Sequence, residues 1–260
     1  MGRILKHLAF VVATLLSVTN AFADCTSSGL SVWPSLGAIK KNSVFVLDGY
    51  ASSMDVIYGL NSRFPIYLKA GNTKIKLNVK ETCTGQFYLA QAILVPASKL
   101  EAGKEYELCI DNLPQYQSVR VWNPRTGDYI PPRWTVSTEE DNNAPQWLTM
   151  PKEKSKSYAM FGCGPSIHVN FSFAVSEQSE YLVKTTIKSL QTGKRTTYYI
   201  GVSQKEISVG HGMCSGAFNF GEGENYEVEF SLMDASGNFA QSPTCGLIFT
   251  RPKPEKDSGR

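Results

Sequence analysis

The sequence predicts an all-β protein made of two tandem β-sandwich domains, preceded by an export signal that is cleaved. Short stretches of alternating apolar and polar residues recur along the chain, and no long segment has the 3.6-residue period of an amphipathic helix. One pattern also occurs in both halves: a Cys-x-Gly-x-Phe segment and, further on, an apolar residue followed by x-x-Gly-x-x-Tyr. A shared pattern at the spacing of a domain indicates two related units.

The two copies of this pattern agree in residue type at each defining position. The first reads Cys83-Thr84-Gly85-Gln86-Phe87 and then Leu100-x-x-Gly103-x-x-Tyr106. The second reads Cys214-Ser215-Gly216-Ala217-Phe218 and then Phe220-x-x-Gly223-x-x-Tyr226. We therefore predict one sandwich over residues 24–138 and a second over residues 146–251.

The N-terminal segment 1–23 has the three parts of a secretory signal peptide. Arg3 and Lys6 supply the positive start, an apolar run follows, and Ala21-Phe22-Ala23 is a small-x-small cleavage site. The apolar run is too short to span a bilayer, so we expect no transmembrane segment. The signal is bacterial in style, and the mature chain is expected to begin at Asp24 and to be periplasmic or secreted.

The strand predictions follow the alternation of apolar residues and the turn residues between the strands. In the first domain the predicted strands are residues 43–47, 73–79, 88–95 and 105–110. In the second domain they are residues 167–175, 181–187, 195–200, 225–233 and 246–250. Regularly spaced short strands of this kind indicate sandwich architecture.

The two domains are separated by a polar linker, residues 139–145, which reads Glu-Glu-Asp-Asn-Asn-Ala-Pro. It lacks periodicity and ends in proline, which is typical of a connecting segment. The linker also resembles the cadherin interdomain segment, in which carboxylates and carbonyls bind Ca²⁺; a plain hydrophilic hinge is the alternative. Residues 252–260 are polar with two prolines, and we predict a flexible tail there.

The turn-and-tyrosine elements that end at Tyr106 and Tyr226 resemble those of fibronectin type III and bacterial immunoglobulin-like (Ig-like) sandwiches. In these families the tyrosine begins a central strand and its hydroxyl bonds back to the preceding turn. Residues 234–238, Asp-Ala-Ser-Gly-Asn, resemble a hairpin of bacterial Ig-like repeats, and Trp33-Pro34-x-x-Gly37 is similar to the opening of such domains. The resemblance implies ligand-binding, spacer or adhesive modules, and fold alone does not transfer a function.

Six cysteines lie in the predicted mature chain, and an even number in an exported protein indicates disulfides, here three. They are Cys25, Cys83, Cys109, Cys163, Cys214 and Cys245. Each half holds three, so either one bridge crosses between the halves or one pair stays reduced. Cys83 with Cys109 is the preferred pair because both lie in neighbouring extended segments, and Cys163 with Cys214 is the analogous pair in the second half.

Charge and motifs argue against several function classes. Removal of Arg3 and Lys6 from the 26 basic residues leaves 24 against 23 acidic residues, which gives no broad electrostatic attraction to nucleic acid. The sequence lacks the G-x-S-x-G, H-E-x-x-H and P-loop motifs, and His168 and His211 are the histidines left after the signal. We therefore predict a non-enzymatic protein without a cofactor.

An aromatic segment late in the first domain is the main candidate for binding. It is rich in proline, arginine and glycine, and its candidate residues are Tyr116, Trp122, Arg125, Tyr129 and Trp134. Rigid aromatic side chains lose little entropy on binding and bury much area, so they dominate many interfaces. The segment is suited to an envelope protein or a surface glycan, and packing between the two domains is the alternative.

Two other functions stay open from the sequence. His211 and Met213 stand beside Cys214 in a glycine-rich segment, and nitrogen and sulfur ligands suit copper, which would make the protein a periplasmic metal carrier or sensor. A tight glycine-rich turn is the structural alternative for the same residues. A pilus-type periplasmic chaperone also has two such domains, and it would need paired cationic residues in the cleft between them.

Overall fold

The computed structural model describes residues 25–35, 37–123, 126–203, 206–242 and 246–254. The predicted signal peptide, Arg125, Cys245 and residues 255–260 of the predicted tail lie outside the described residues. Within these ranges the chain is mostly β-strand, with a short helix, α1 (Met54–Gly59). None of the helical residues described belongs to a segment with the length and hydropathy that a membrane crossing requires.

The first half contains strands β1 to β10. Their bounds are β1 Ser28–Trp33, β2 Gly37–Ile39, β3 Phe45–Ala51, β4 Ile66–Ala70, β5 Thr73–Thr84, β6 Leu89–Pro96, β7 Glu105–Ile110, β8 Val121–Asn123, β9 Asp128–Ile130 and β10 Arg133–Val136. The strands predicted from the sequence are present as β3, β5, β6 and β7. The remaining strands are shorter or alternate less regularly, so their periodicity did not reveal them.

The strands of the first half form two layers because β5 bends between them. Residues 77–84 of β5 pair with β6, and residues 73–76 pair with β4. One layer is therefore β1-β3-β6-β5 and the other is β5-β4-β7-β10-β2, with β2 parallel to β10. This is the strand order of an Ig-like sandwich, in which strands A, B, E and D face strands C, F and G.

The second half contains strands β11 to β18. Their bounds are β11 Gln146–Phe161, β12 Gly164–Ser176, β13 Tyr181–Ser189, β14 Arg195–Gly201, β15 Glu206–His211, β16 Asn225–Asp234, β17 Phe239–Gln241 and β18 Leu247–Thr250. One layer is β11-β12-β15, and the other is β14-β13-β16-β17, with β18 also on β16. Phe171 of β12 and Phe230 of β16 meet between the layers at 5.1 Å. The predicted all-β fold with two Ig-like sandwiches is confirmed.

Both repeated tyrosines make the hydrogen bonds that the resemblance implies. The Tyr106 hydroxyl accepts from the Glu101 N–H at 3.4 Å. The Tyr226 hydroxyl accepts from the Glu222 N–H at 3.1 Å and donates to the Gly223 carbonyl at 3.2 Å. Both tyrosines are fully buried near the start of their strands, β7 and β16. Each half therefore has the turn-and-tyrosine element of an Ig-like sandwich.

The two sandwiches do not bury their interiors separately. The first core lies between the layers of the first half. The second core lies in the second half but also includes four residues of the first half, which are Val44, Val46, Cys83 and Ile93. Val46 and Ile93 lie on the outer faces of β3 and β6, whose inner faces carry the first core. These strands are buried on both sides, and the second sandwich covers their outer faces.

Candidate functional site

The aromatic segment forms a hairpin that stands apart from both layers of the first sandwich. Strands β8 and β9 make a two-stranded sheet in which Trp122 lies opposite Tyr129, with ring centroids 5.3 Å apart and ring planes at 63°. Trp122 is 53% exposed, Tyr129 60% and Tyr116 71%. Gly127 closes the hairpin with a left-handed φ of 71°, and its N–H donates to the Asn123 carbonyl at 2.9 Å. These aromatic rings are available to a partner.

Trp134 does not belong to this surface, and its place in the predicted set was wrong. It is 1% exposed, and its ring packs edge-on against Phe45 with centroids 4.8 Å apart. Its indole N–H donates to the Ser35 carbonyl. Side chains alternate along β10, so Trp134 points into the first core between exposed neighbours. It is a structural tryptophan of the sandwich interior.

The two Cys-x-Gly-x-Phe segments contact each other at the junction between the sandwiches. Phe87 and Gly216 exchange backbone hydrogen bonds of 2.9 and 3.2 Å, and the Gln86 N–H donates to the Ala217 carbonyl at 2.9 Å. A Cβ added to Gly216 would lie 2.2 Å from the Cβ of His211, so this position needs glycine for close backbone approach. The repeated pattern is therefore part of the interface between the two halves.

The edge strand β14 of the second sandwich docks on the first sandwich through the side chain of Gln91. The Gln91 amide oxygen accepts from the Tyr199 N–H at 3.1 Å, and its nitrogen donates to the Tyr199 carbonyl at 3.0 Å. Gln91 is 1% exposed. Its amide thus supplies the bonds that a neighbouring strand would make to this edge.

Two carboxyl groups at this interface have pKa values that are shifted in opposite directions. The Asp48 carboxyl accepts from the Tyr198 hydroxyl at 2.5 Å, and burial raises the pKa of Asp48 to about 6 although its hydrogen bonds act in the other direction. Burial also disfavours ionisation of Glu81, but bonds from Tyr199 at 2.8 Å and Lys184 at 3.0 Å outweigh it and lower the pKa of Glu81. Asp48 and Glu81 of the first sandwich are thus both bonded to side chains of the second sandwich.

The linker 139–145 is held by both sandwiches rather than free to hinge. It contains no strand or helix, and β11 begins at the next residue. The Asp141 carbonyl accepts from the side-chain amide of Asn42 at 2.6 Å and from that of Asn238 at 3.0 Å. These two bonds join one residue of each sandwich to the same linker carbonyl.

A cleft of about 500 Å³ opens beside the linker. Its lining includes the carboxylates of Glu139, Glu140, Asp141 and Glu180 beside Lys40, and Glu139 pairs with Lys40 at 2.5 Å. Among the residues described, the linker carboxylates do not form a cluster of metal-ligating atoms within 4.8 Å of one another. The acidic lining also differs from the paired cations that a pilus-type chaperone would need.

Among the described residues, His211 does not belong to a cluster of three close His, Cys, Asp or Glu ligand atoms. His211 is buried at the end of β15, and its Nδ1 lies 2.7 Å from the Gly212 carbonyl, which fixes the ring in a tight turn. Met213 follows in the same turn and is half-buried. In the described ranges, the cluster of three close metal-ligating atoms consists of sulfur atoms of other residues, Cys25, Cys163 and Cys214.

The disulfide pattern differs from the predicted one. Cys25 is bonded to Cys214, so a bridge joins the two halves, and Cys163 lies within 4.8 Å of both sulfur atoms. Cys83 and Cys109 carry free thiols, so the preferred pair is wrong, and so is the pair of Cys163 with Cys214. Cys83 lies in the part of β5 that pairs with β6, whereas Cys109 lies on β7 in the opposite layer, so the two cysteines are in different layers. Burial raises the pKa of the Cys83 thiol to about 12, which makes it unreactive.

Two exposed aromatic residues and two interface residues were not among the candidates predicted from the sequence. Tyr58 on α1 is 50% exposed and Tyr88 is 60% exposed, yet neither stands in an aromatic-rich segment. Gln91 and Asp48 had a recognisable signal, because each is a polar residue within or directly after a continuous apolar run. A continuous run indicates a strand that is buried on both faces, and a polar residue there needs a partner from another layer.

No family model and no curated protein matches the sequence. Among solved structures, the chain is similar to a type I pullulanase from Bacillus subtilis, with 10% identity and a TM-score of 0.24 over 85% of this chain and 25% of that chain. It is also similar to tandem Ig repeats of Dlar, with 10% identity and a TM-score of 0.24 over 84% of this chain and 96% of that chain. A third similar structure is the Yersinia pseudotuberculosis adhesin InvE, with 8% identity and a TM-score of 0.22 over 86% of this chain and 58% of that chain. The chain spans about a quarter of the pullulanase chain. At these scores the similarities carry no argument about activity.

Proposed function

We propose that this chain is an exported, non-enzymatic binding protein of the cell envelope, with two sandwiches of the bacterial Ig-like or fibronectin type III kind. It engages a protein or glycan partner through the β8–β9 hairpin. The main support is the cross-strand pair of Trp122 and Tyr129, which are more than half exposed on a hairpin outside both layers. Burial of such rings by a partner is a strong source of binding energy.

The proposed location outside the cytoplasm is supported by covalent chemistry. The bond between Cys25 and Cys214 links the start of the first sandwich to the second one. Disulfides of this kind persist in oxidising compartments such as the periplasm and the cell exterior. Together with the predicted signal peptide at 1–23, this bond favours a periplasmic or secreted protein.

The proposal of binding without catalysis is supported by how the buried polar groups are used. Asp48 and Glu81 bond to residues of the opposite sandwich, and the His211 ring is held against its own turn. Each group has a structural partner, and the sequence lacks the motifs named above. A copper carrier or a pilus-type chaperone has no comparable support, because His211 lies outside the sulfur cluster and the cleft is acidic.

The proposal is tested by removal of the exposed aromatic pair. We expect the double variant Trp122→Ala/Tyr129→Ala to lose at least tenfold in binding to envelope fractions of the native host and to a glycan array, with unchanged thermal unfolding. Ile248→Ala is the matched control, because Ile248 is 69% exposed on the second sandwich. Equal binding by the double variant and the wild type would contradict the proposal.

A further inference from the structure

Two turns of the second sandwich lie side by side at one end of the β12–β15 pair. The turn between β11 and β12 contains Cys163, and the turn after β15, residues 212–215, contains Cys214. Because β12 and β15 are antiparallel, the start of one strand lies beside the end of the other. A Cβ added to Gly164 would lie 3.6 Å from the Met213 carbonyl oxygen, so the two turns are in contact.

Three cysteine sulfur atoms meet at these turns. The Cys163 sulfur lies within 4.8 Å of both sulfur atoms of the Cys25–Cys214 bond, and Cys163 carries a thiol. All three residues are partly exposed, in contrast to the buried Cys83. A metal ion would need all three sulfur atoms as thiolates, but two of them are bonded to each other. A thiol beside an accessible disulfide is instead the arrangement that thiol–disulfide exchange requires.

The fold holds the three sulfur atoms in different ways. Cys163 and Cys214 lie in turns that adjoin neighbouring strands of one layer. Cys25 precedes β1 and is outside any strand or helix. The Ser27 carbonyl accepts from the Ser52 N–H at 3.1 Å and from the Ser52 hydroxyl at 2.8 Å, which anchors the chain just before β1. Cys25 is therefore the sulfur that can move away from the other two while β1 stays in place.

We propose that the Cys25–Cys214 bond exchanges with the Cys163 thiol. The Cys163 thiolate attacks the Cys214 sulfur, a bond forms between these two atoms, and the bond from Cys214 to Cys25 breaks. Cys25 leaves as a thiolate and takes up the proton that Cys163 has lost. One disulfide and one thiol are present before and after the step, so it needs no oxidant or reductant.

The exchange moves the covalent bond from between the two halves to within the second half. The Cys25–Cys214 bond closes a sequence separation of 189 residues, whereas a Cys163–Cys214 bond closes 51 (214 − 163). Closure of the longer loop restrains the unfolded chain more, so the bond between the halves is the more stabilising of the two. After exchange the linker and the interface contacts still join the sandwiches. This inference is independent of the proposed binding by the β8–β9 hairpin.

Mapping of the disulfides in the full chain tests this inference. The protein is held at mildly alkaline pH, quenched with acid, labelled with N-ethylmaleimide while denatured, and digested for mass spectrometry. We expect label on Cys25 in the wild type to be at least tenfold above that in Cys163→Ser. Cys109→Ser is the matched control and should label like the wild type, because Cys109 lies on β7 of the first sandwich. In Cys25→Ser we expect the Cys163–Cys214 bond to form.

The wild type alone keeps the test decisive if a variant loses its normal thermal unfolding. Label should appear on Cys25 faster at higher pH, because the thiolate is the attacking form. Its rate should not change with protein concentration, because the step occurs within one molecule. A rate that increases with protein concentration overturns the inference.

Three results of the mapping would also overturn it. One is equal labelling of Cys25 in the wild type and in Cys163→Ser. Another is a Cys25–Cys163 bond with label on Cys214, which would mean that Cys25 is the sulfur attacked. The third is a bond between Cys163 and Cys245 in the wild type, which would leave Cys163 unable to attack.

Discussion

Tryptophan shows how much a single residue's role depends on the strand that carries it. Trp122 and Trp134 are only 12 positions apart in the sequence, yet one is half exposed and the other is at the centre of the first core. The difference comes from their strands. Trp122 lies on a hairpin outside the layers, while Trp134 lies on β10, between β7 and β2.

These two tryptophans make a matched pair for a stability measurement. We expect Trp134→Ala to lower the free energy of unfolding by about 3–5 kcal/mol, because it removes a large ring from a packed core. We expect Trp122→Ala to change it by no more than about 0.5 kcal/mol. Urea denaturation of the two variants measures both values, and similar losses for the two would contradict these positions.

Gly216 offers a second prediction at the residue scale. A Cβ at this position would meet His211 Cα and Cβ at 2.3 and 2.2 Å, so Gly216→Ala should cost about 1–3 kcal/mol through overpacking. Gly201→Ala is the control, because nothing lies within 4 Å of its Cβ position. Thermal unfolding of the two variants compares them. A neutral Gly216→Ala would show that this glycine does not lie against the backbone of His211.

At the scale of single elements, two edge strands of the second sandwich are protected from pairing with another chain, each in a different way. Strand β11 carries Lys152, Lys154 and Lys156 and three register shifts, which discourage pairing with another chain. The same shifts break the alternation of its side chains, which is why the sequence did not reveal this strand of 16 residues. Strand β14 is protected instead by the side chain of Gln91.

The role of Gln91 predicts a specific defect in β14. Gln91→Ala leaves the N–H and the carbonyl of Tyr199 without these partners, and each buried unpaired group costs about 1–3 kcal/mol. For the two groups together we expect a loss of about 2–6 kcal/mol, with faster hydrogen exchange at the Tyr199 amide. The exposed Gln115→Ala should change neither quantity. Unaltered exchange at Tyr199 in the Gln91 variant would argue against side-chain protection of this edge.

At the scale of the whole molecule, the two sandwiches act as one packed unit. Strands β3 and β6 carry one core on each face, and the Cys25–Cys214 bond and the Asp141 carbonyl add further links between the halves. The interface also contains Asp48, whose raised pKa makes the stability of this unit depend on pH. Its folded pKa of about 6 lies above the ordinary value of 3.8. The stabilising contribution is therefore complete below pH 4 and is lost as the pH rises through 6.

The pH dependence gives a prediction for Asp48→Asn. Since the variant does not titrate, its free energy of unfolding should rise relative to the wild type by about 3 kcal/mol between pH 4 and pH 8, which is the energy of the pKa difference. Denaturant unfolding at several pH values measures this change. Asp55→Asn is the control, because Arg63 lowers the pKa of the exposed Asp55 and gives the opposite direction. A pH-independent difference for Asp48→Asn would mean that Asp48 does not titrate in this range.

The sequence by itself determined the all-β fold, most long strands and both turn-and-tyrosine elements. These features are local, because period-two alternation and turn preferences depend only on residues that are close together in the sequence. Only the tertiary structure decided that Trp134 is core, that Cys25 bonds to Cys214, and that β3 and β6 are buried on both faces. Each of these depends on which strands become neighbours and which faces are covered, and sheet order brings together residues that are distant along the chain.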